Sequence, residues 1–240
     1  MATATDGREG LMLDLASLTE DFIRNDFQKL DWDNGQDEPT VRAVGASDME
    51  PAARKGQLRK WLDLYKVIRF FPQETRGKIV RQILKYADDG SRPRGPLGSK
   101  AAVLSEYEKL RQRIQAVIAP GRKSGKPPEV TSLTSKALWC CYPNDVPIFD
   151  ANAEKALQVA SRLCRIAPEP AQTPYALFVD VWLQLYEKLK PVIEQADLKG
   201  YPYRVRVLDI LLWHVGSPGF ESPATDVAQT RPIRKLARQR

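Results

Sequence analysis

The chain has 240 residues, 42% of them hydrophobic and 28% charged, which is the composition of a folded globular protein and not of a disordered one. It contains no apolar run that could cross a bilayer and no secretory signal pattern near Met1. Three cysteines and one histidine cannot supply a disulfide framework, a zinc cluster or an iron–sulfur cluster. We therefore expect a cytoplasmic protein with no metal and no cofactor.

Apolar residues spaced three and four apart predict helices through most of the chain. Those helices cover residues 11–30, 58–71, 74–86, 99–119, 132–142, 150–165, 174–195 and 203–214. Residues 34–51 are polar and aperiodic and are predicted to form a long loop. Because no segment shows the alternation of a strand, the predicted fold class is all-α. We expect a single helical domain over residues 1–220, of one or two lobes, and a flexible basic tail over residues 221–240.

The net charge of +7 is distributed unevenly along the chain. Residues 1–50 carry 4 basic and 12 acidic side chains, whereas residues 51–128 carry 19 basic and 6 acidic ones. A local excess of 13 positive charges is typical of a protein that binds a polyanion. Basic residues also form solvated helix surfaces, but the size of this excess favours nucleic acid.

A loop at residues 121–128, with the sequence GRKSGKPP, looks like a phosphate-binding loop of nucleotide hydrolases. Two features exclude that interpretation, because Pro127 follows Lys126 where Ser or Thr is required, and no strand precedes the loop. The loop lies just before the next predicted helix. Its cations are therefore candidates for contact with DNA phosphates.

The segment 131–150, TSLTSKALWCCYPNDVPIFD, is the most informative part of the sequence. It sets Lys136 in the first turn of a predicted helix that Thr131 or Ser132 can cap. The helix dipole and partial burial would lower the pKa of this lysine and expose a neutral amine. Asp150 follows a bend and is predicted to cap the next helix.

The spacing of 14 residues permits the two side chains to meet. Eleven helical residues carry the chain about 16 Å away from Lys136. The bend at residues 143–149 can span about 25 Å at most, which is enough for the chain to double back. An amine and a carboxylate beside aromatic side chains are the groups needed to break a glycosidic bond by attack at the sugar.

At these residues the chain resembles the helix-hairpin-helix DNA glycosylase superfamily, most nearly its 8-oxoguanine glycosylase branch. Lys136 matches the lysine that opens the second hairpin helix of that family. The sequence from Pro147 to Asp150 resembles the Pro-Val-Asp motif with one residue inserted. The resemblance implies a two-lobed glycosylase-like fold in which Lys136 attacks the anomeric carbon. Asp150 would stabilise the positive charge that develops on the sugar.

The sequence departs from the family pattern in two places. The family hairpin reads Gly-hydrophobic-Gly, whereas this chain has Ser132-Leu133-Thr134, so the predicted hairpin is degenerate. The spacing between lysine and aspartate is also several residues shorter than usual. The close resemblance covers residues 130–160.

Two sets of site residues complete the prediction. The expected DNA contacts are Arg92, Arg94, Arg122, Lys123, Lys126, Ser132 and Thr134. The expected base pocket consists of Trp139, Tyr142, Phe149 and Trp213. The predicted partner is double-stranded DNA with a modified base, bound by a monomer with no membrane attachment.

Other interpretations of the same residues remain open. A helix-start aspartate is often only a cap, a lysine is often only a surface charge, and aromatic residues more often fill a core than line a pocket. The main alternative function is a non-catalytic nucleic-acid-binding module, and a nuclease-like toxin is a weaker one. Proteins of this family type include phage-defence glycosylases, so a defence role stands beside DNA repair.

Overall fold

The computed structural model describes residues 15–27, 35–121, 128–171 and 173–218. Within these ranges every regular element is a helix, which confirms the all-α prediction. The α-helices are α1 (residues 15–22), α2 (Asp37–Gly45), α3 (Pro51–Leu64), α4 (Gln73–Ala87), α5 (Lys100–Ile118), α6 (Thr131–Cys141), α7 (Ala151–Leu163), α8 (Pro174–Gln195) and α9 (Arg204–Gly216). The predicted tail lies outside the described residues.

Helices α4 to α9 begin and end within two residues of their predicted bounds. Caps explain this agreement for α5, α7 and α8, because the side chains of Ser99, Asp150 and Thr173 each accept a hydrogen bond from a backbone amide of the helix that follows. Helix α1 passes into a π-helical turn at Ile23–Phe27, and a 3₁₀ turn at Ala119–Gly121 follows α5.

Helix α2 lies where a loop is predicted, so the prediction for residues 34–51 is wrong. Contacts with distant parts of the chain stabilise this short helix at both ends. The buried carboxylate of Asp37 accepts a hydrogen bond from the indole N–H of Trp61 at 2.7 Å. At the other end, the guanidinium of Arg54 donates to the carbonyl of Ala43 at 2.8 Å. Such contacts leave no periodic trace in the helix's own sequence.

Helix α3 begins and ends seven residues earlier than predicted. It begins earlier because the carboxylate of Glu50 accepts a hydrogen bond from a first-turn amide at 2.7 Å and Pro51 fits the first helical position. It ends earlier because Lys66 adopts a left-handed conformation with φ 58°. Residues 65–71 therefore form a turn between α3 and α4.

Helix α6 occupies the centre of the protein. It packs against α5, α2 and α3, and residues 133–140 are all buried. A helix buried on every side must be apolar or must pair its polar groups. Helix α7 packs against α9 and α8, so the bend between α6 and α7 joins two well-packed parts of the core. None of the helices in the described ranges is both long and apolar enough to span a membrane.

Candidate active site

Lys136 and Asp150 meet across the bend that joins α6 to α7. Lys136 Nζ lies 3.4 Å from Asp150 Oδ2. The same ammonium donates to Ser132 Oγ at 2.8 Å and to the carbonyl oxygen of Phe149 at 3.3 Å. The fold therefore brings together the two side chains that the sequence analysis singles out.

The amine of this pair is buried, whereas the carboxylate reaches solvent. Lys136 is 3% exposed, and the side chain of Asp150 is 30% exposed. Burial lowers the pKa of Lys136 to about 8, a shift that the charge of Asp150 opposes and that of Arg206 increases. More of this amine is therefore neutral near neutral pH than of a solvent-exposed lysine.

The position of Lys136 in its helix differs from the prediction. Lys136 lies in the second turn of α6 and not in the first. Val130 is the N-cap residue and no side chain caps the helix from that position, so the predicted cap by Thr131 or Ser132 is wrong. The amide of Thr131 instead donates to the carboxylate of Glu129 at 2.7 Å. The lowered pKa thus arises from burial, and the helix dipole is not its cause.

Side chains from three helices hold the backbone of the bend immediately before Asp150. The hydrogen bonds run from the hydroxyl of Tyr175 to the carbonyl of Pro147 (3.0 Å), from the amide of Ile148 to Asp209 Oδ2 (3.2 Å), and from the amide of Phe149 to Ser135 Oγ (3.0 Å). Two successive peptide groups, Pro147–Ile148 and Ile148–Phe149, are therefore fixed. The position of the aspartate does not depend on its own contacts alone.

Asp150 is also the N-cap of α7, as predicted. Its Oδ1 accepts a hydrogen bond from the amide of Asn152 at 2.9 Å, which leaves Oδ2 to face Lys136. Gly216, the last residue of α9, packs directly on this first turn. A Cβ atom at Gly216 would lie 2.0 Å from the carbonyl oxygen of Asn152. The contact between α9 and α7 at this point therefore requires glycine.

Two charged residues of α9, Arg206 and Asp209, lie beside the pair and are both buried. Arg206 Nη1 lies 3.7 Å from Asp209 Oδ2, and its Nη2 donates to the hydroxyl of Tyr65 at 3.0 Å. Burial raises the pKa of Asp209 to about 7, although the charge of Arg206 opposes the shift. Neither residue is among the predicted site residues. Opposite charges three positions apart in an otherwise apolar helix were the available signal, because buried charges need partners.

A small cavity opens beside these four charged side chains. Its volume is about 30 Å³, and its lining consists of Lys136, Asp150, Arg206, Asp209, Ile148, Ala153, Ile210 and Trp213. That volume holds about two water molecules. A larger ligand can enter only if a lining side chain moves.

Two of the aromatic residues predicted to line a base pocket lie in the core instead. Trp139 is fully buried, and its ring stacks on that of Trp61 at a centroid distance of 5.7 Å. Tyr142 is also buried, and its hydroxyl donates to the carbonyl of Pro93 at 3.0 Å. Neither side chain lines the cavity. The prediction failed here because α6 is buried on all sides, so its aromatic residues pack against other helices.

The other two predicted pocket residues lie closer to the pair. Trp213 lines the cavity and is partly exposed. Phe149 packs edge to face on Phe178, with the ring centroids 5.2 Å apart, and only its carbonyl contacts Lys136. Of the four aromatic residues, Trp213 alone lines the cavity.

The residues that were predicted to contact DNA differ in how far they are exposed to solvent. Thr134 is fully buried and cannot reach DNA, so that prediction is wrong. The hydroxyl of Ser132 accepts the hydrogen bond from Lys136. Arg92 is partly buried and donates to a backbone carbonyl, whereas Arg94 is exposed. The remaining predicted contacts, Arg122, Lys123 and Lys126, lie outside the described residues.

In the part of the chain that the structure describes, no group of three or more His, Cys, Asp or Glu side chains could hold a metal ion. Comparisons with protein-family models, with curated proteins and with solved structures find no match to this chain.

Proposed function

We propose that this protein is a DNA glycosylase that removes a modified base by cleaving its N-glycosidic bond. The contact between Lys136 and Asp150 carries the proposal. The amine of Lys136 is buried, has a lowered pKa and lies 3.4 Å from the carboxylate of Asp150, which reaches solvent. Both side chains line a cavity. Groups perturbed in this way beside a cavity are typical of catalytic sites.

The chemistry follows from the protonation state of the amine. Neutral Lys136 would attack C1′ of the nucleotide and form a new C–N bond, while the electron pair of the glycosidic bond leaves with the base, which takes up a proton. The carboxylate of Asp150 would stabilise the positive charge that develops on the sugar in the transition state. Opening of the sugar ring would then give an imine between Lys136 and the DNA.

A second route uses the same pair with different roles. Asp150 would take a proton from a water molecule that attacks C1′, and Lys136 would hold a phosphate or the aspartate itself. This route leaves an abasic site and no covalent intermediate. Both routes depend on Asp150, and only the first one depends on the amine of Lys136 as nucleophile.

The charge distribution supports DNA as the substrate. Residues 51–128 carry an excess of 13 positive charges, and base removal from a duplex requires a grip on phosphates while the base is turned out. We propose that the protein acts as a monomer in the cytoplasm. Modified bases of phage DNA are one proposed substrate class, and damaged bases of the cell's own DNA are the other.

The size of the cavity favours a second candidate, a nucleic-acid-binding module without catalysis. A volume of about 30 Å³ is far below the roughly 300–1,000 Å³ of pockets that enclose small ligands. In that case Lys136 and Asp150 would form a structural ion pair, and the basic surface alone would carry the function.

One assay separates the two candidates. Duplexes that each contain a single modified base would be incubated with excess protein, and released bases would be measured by mass spectrometry. A glycosylase releases one class of base and leaves the others. The contrary outcome is a protein that binds every duplex tightly and releases no oxidised, alkylated, deaminated or glucosylated base. That result would overturn the proposed function and support the binding module.

A further inference from the structure

We propose that the turn formed by residues 65–71 is a nucleic-acid contact surface in which Phe70 stacks on a base while Lys66 and Arg69 contact phosphates. The ring of Phe70 is 80% exposed, about twice the exposed fraction of any other large hydrophobic side chain in the described ranges. A phenylalanine left in water forgoes the stabilisation that burial would provide. A partner that covers the ring would recover it.

Hydrogen bonds fix the backbone of the turn on both sides of Phe70. Ile68 is fully buried and anchors the turn in the core. The amide of Phe71 donates to the carbonyl of Ile68 at 3.0 Å. The guanidinium of Arg76 donates to the carbonyl of Phe71 at 2.7 Å and also to the carbonyl of Arg69. With the backbone fixed in this way, only the side-chain torsions of Phe70 need to be ordered when a base stacks on its ring.

The charges around the ring favour a phosphate-bearing partner. Lys66 and Arg69 are exposed, and neither forms an ion pair with any residue that the structure describes. The guanidinium of Arg69 lies 4.8 Å from the centroid of the Phe70 ring. Residues 54–85 contain 10 basic and 2 acidic side chains. An aromatic face beside unpaired cations is the arrangement that binds bases and their backbone.

The turn also lies near the candidate active site. It begins at Tyr65, whose hydroxyl accepts the hydrogen bond from Arg206 in the cavity wall. Five residues span at most about 18 Å, so Phe70 lies within about five base-pair steps of Tyr65. Binding of nucleic acid through Phe70 does not require catalysis and would serve a binding module equally.

Binding and fluorescence measurements test this surface. A duplex with one unpaired 2-aminopurine would be titrated with the full-length protein, its Phe70→Ala and Phe70→Trp variants, and the control Leu163→Ala, which shortens an exposed side chain on α7. We expect Phe70→Ala to weaken binding about 5- to 150-fold and to lose the quenching of 2-aminopurine, with Phe70→Trp restoring both. Replacing Lys66 and Arg69 by Gln should lower the salt slope by about 2.

Two results would overturn the inference. One is a Phe70→Ala variant that binds and quenches like Leu163→Ala. The other is wild-type protein that binds vesicles of anionic lipid but not DNA. Base release is measured separately, so a protein that binds through Phe70 but excises nothing contradicts the glycosylase proposal alone.

Discussion

Asp209 accepts a hydrogen bond from the amide of Ile148 at 3.2 Å, so a residue of the last helix fixes the bend that presents Asp150. The interaction joins parts of the chain 61 residues apart. The buried carboxylate of Asp209 therefore has a second interaction besides its ion pair with Arg206. Asp209 thus acts as a positioning residue for the candidate active site.

Asparagine and alanine at position 209 should separate this role from a purely structural one. Asn can still accept from the amide of Ile148, so Asp209→Asn should keep single-turnover excision within about tenfold of wild type. Asp209→Ala removes the acceptor and leaves Arg206 without one partner, at a cost of about 3–5 kcal/mol in stability. Its rate should fall at saturating DNA while the Kd for DNA changes little. Amide hydrogen exchange at Ile148 should be faster in the alanine variant, and unchanged exchange there would contradict the role.

Gly216 should be irreplaceable at the contact between α9 and α7. In Gly216→Ala the new Cβ would clash with the carbonyl of Asn152, so either the first turn of α7 moves or the helices separate. We expect a loss of about 1–3 kcal/mol or more in unfolding free energy, measured with urea, together with slower excision. The matched control is Gly56→Ala in α3, where a Cβ meets no atom within 4 Å and stability should rise by up to about 1 kcal/mol. Equal stability of the two variants would show that the helices are not packed as described.

Lys136 should reduce stability at neutral pH. Its folded pKa of about 8 lies below the ordinary 10.5, so between these values the unfolded chain binds a proton that the folded one does not. The free energy of unfolding should therefore rise with pH in this window by about 3 kcal/mol from this group. Lys136→Met lacks this titration, so the stability of wild type relative to the variant should increase by about 3 kcal/mol between about pH 7 and pH 10.5. Denaturant unfolding at both pH values measures the difference, and a difference that does not change with pH would contradict the expectation.

If the amine of Lys136 is the nucleophile, the rate of base excision should depend on the titration of this amine. The rate should rise with pH through about 8, and reduction with borohydride should link wild-type protein, but not Lys136→Ala, to DNA. Full excision by Lys136→Ala without any linked product would assign the chemistry to Asp150 and a water molecule.

Trp139 should contribute to stability and not to base recognition. Its ring is fully buried against Trp61, so Trp139→Ala should lower the unfolding free energy by about 3–5 kcal/mol. Trp139→Phe keeps most of the packing and should excise at a rate close to wild type. Phe70→Ala is the stability control, because an exposed side chain should change unfolding by less than about 0.5 kcal/mol. A change of base preference in Trp139→Phe would show that this residue takes part in base recognition.

The sequence predicts best what local periodicity and caps determine. The helix that Asp150 caps follows from a cap residue ahead of an amphipathic repeat, and the bend from its two prolines. The sequence does not reveal helix α2, because contacts with distant residues such as Arg54 stabilise it. Nor does it reveal the left-handed conformation of Lys66, which leaves no periodic pattern. Arg206 and Asp209 were missed because their partners Tyr65 and Ile148 lie in distant parts of the chain.

The rate of base release by Asp150→Asn tests the central claim most directly. Asn keeps the cap of α7 but not the negative charge that would stabilise the transition state. On the duplex from which wild-type protein releases a base, single-turnover excision should fall by about 100-fold or more, while the Kd for DNA stays within a few fold. Release at close to the wild-type rate would contradict the proposal that Lys136 and Asp150 form the catalytic pair.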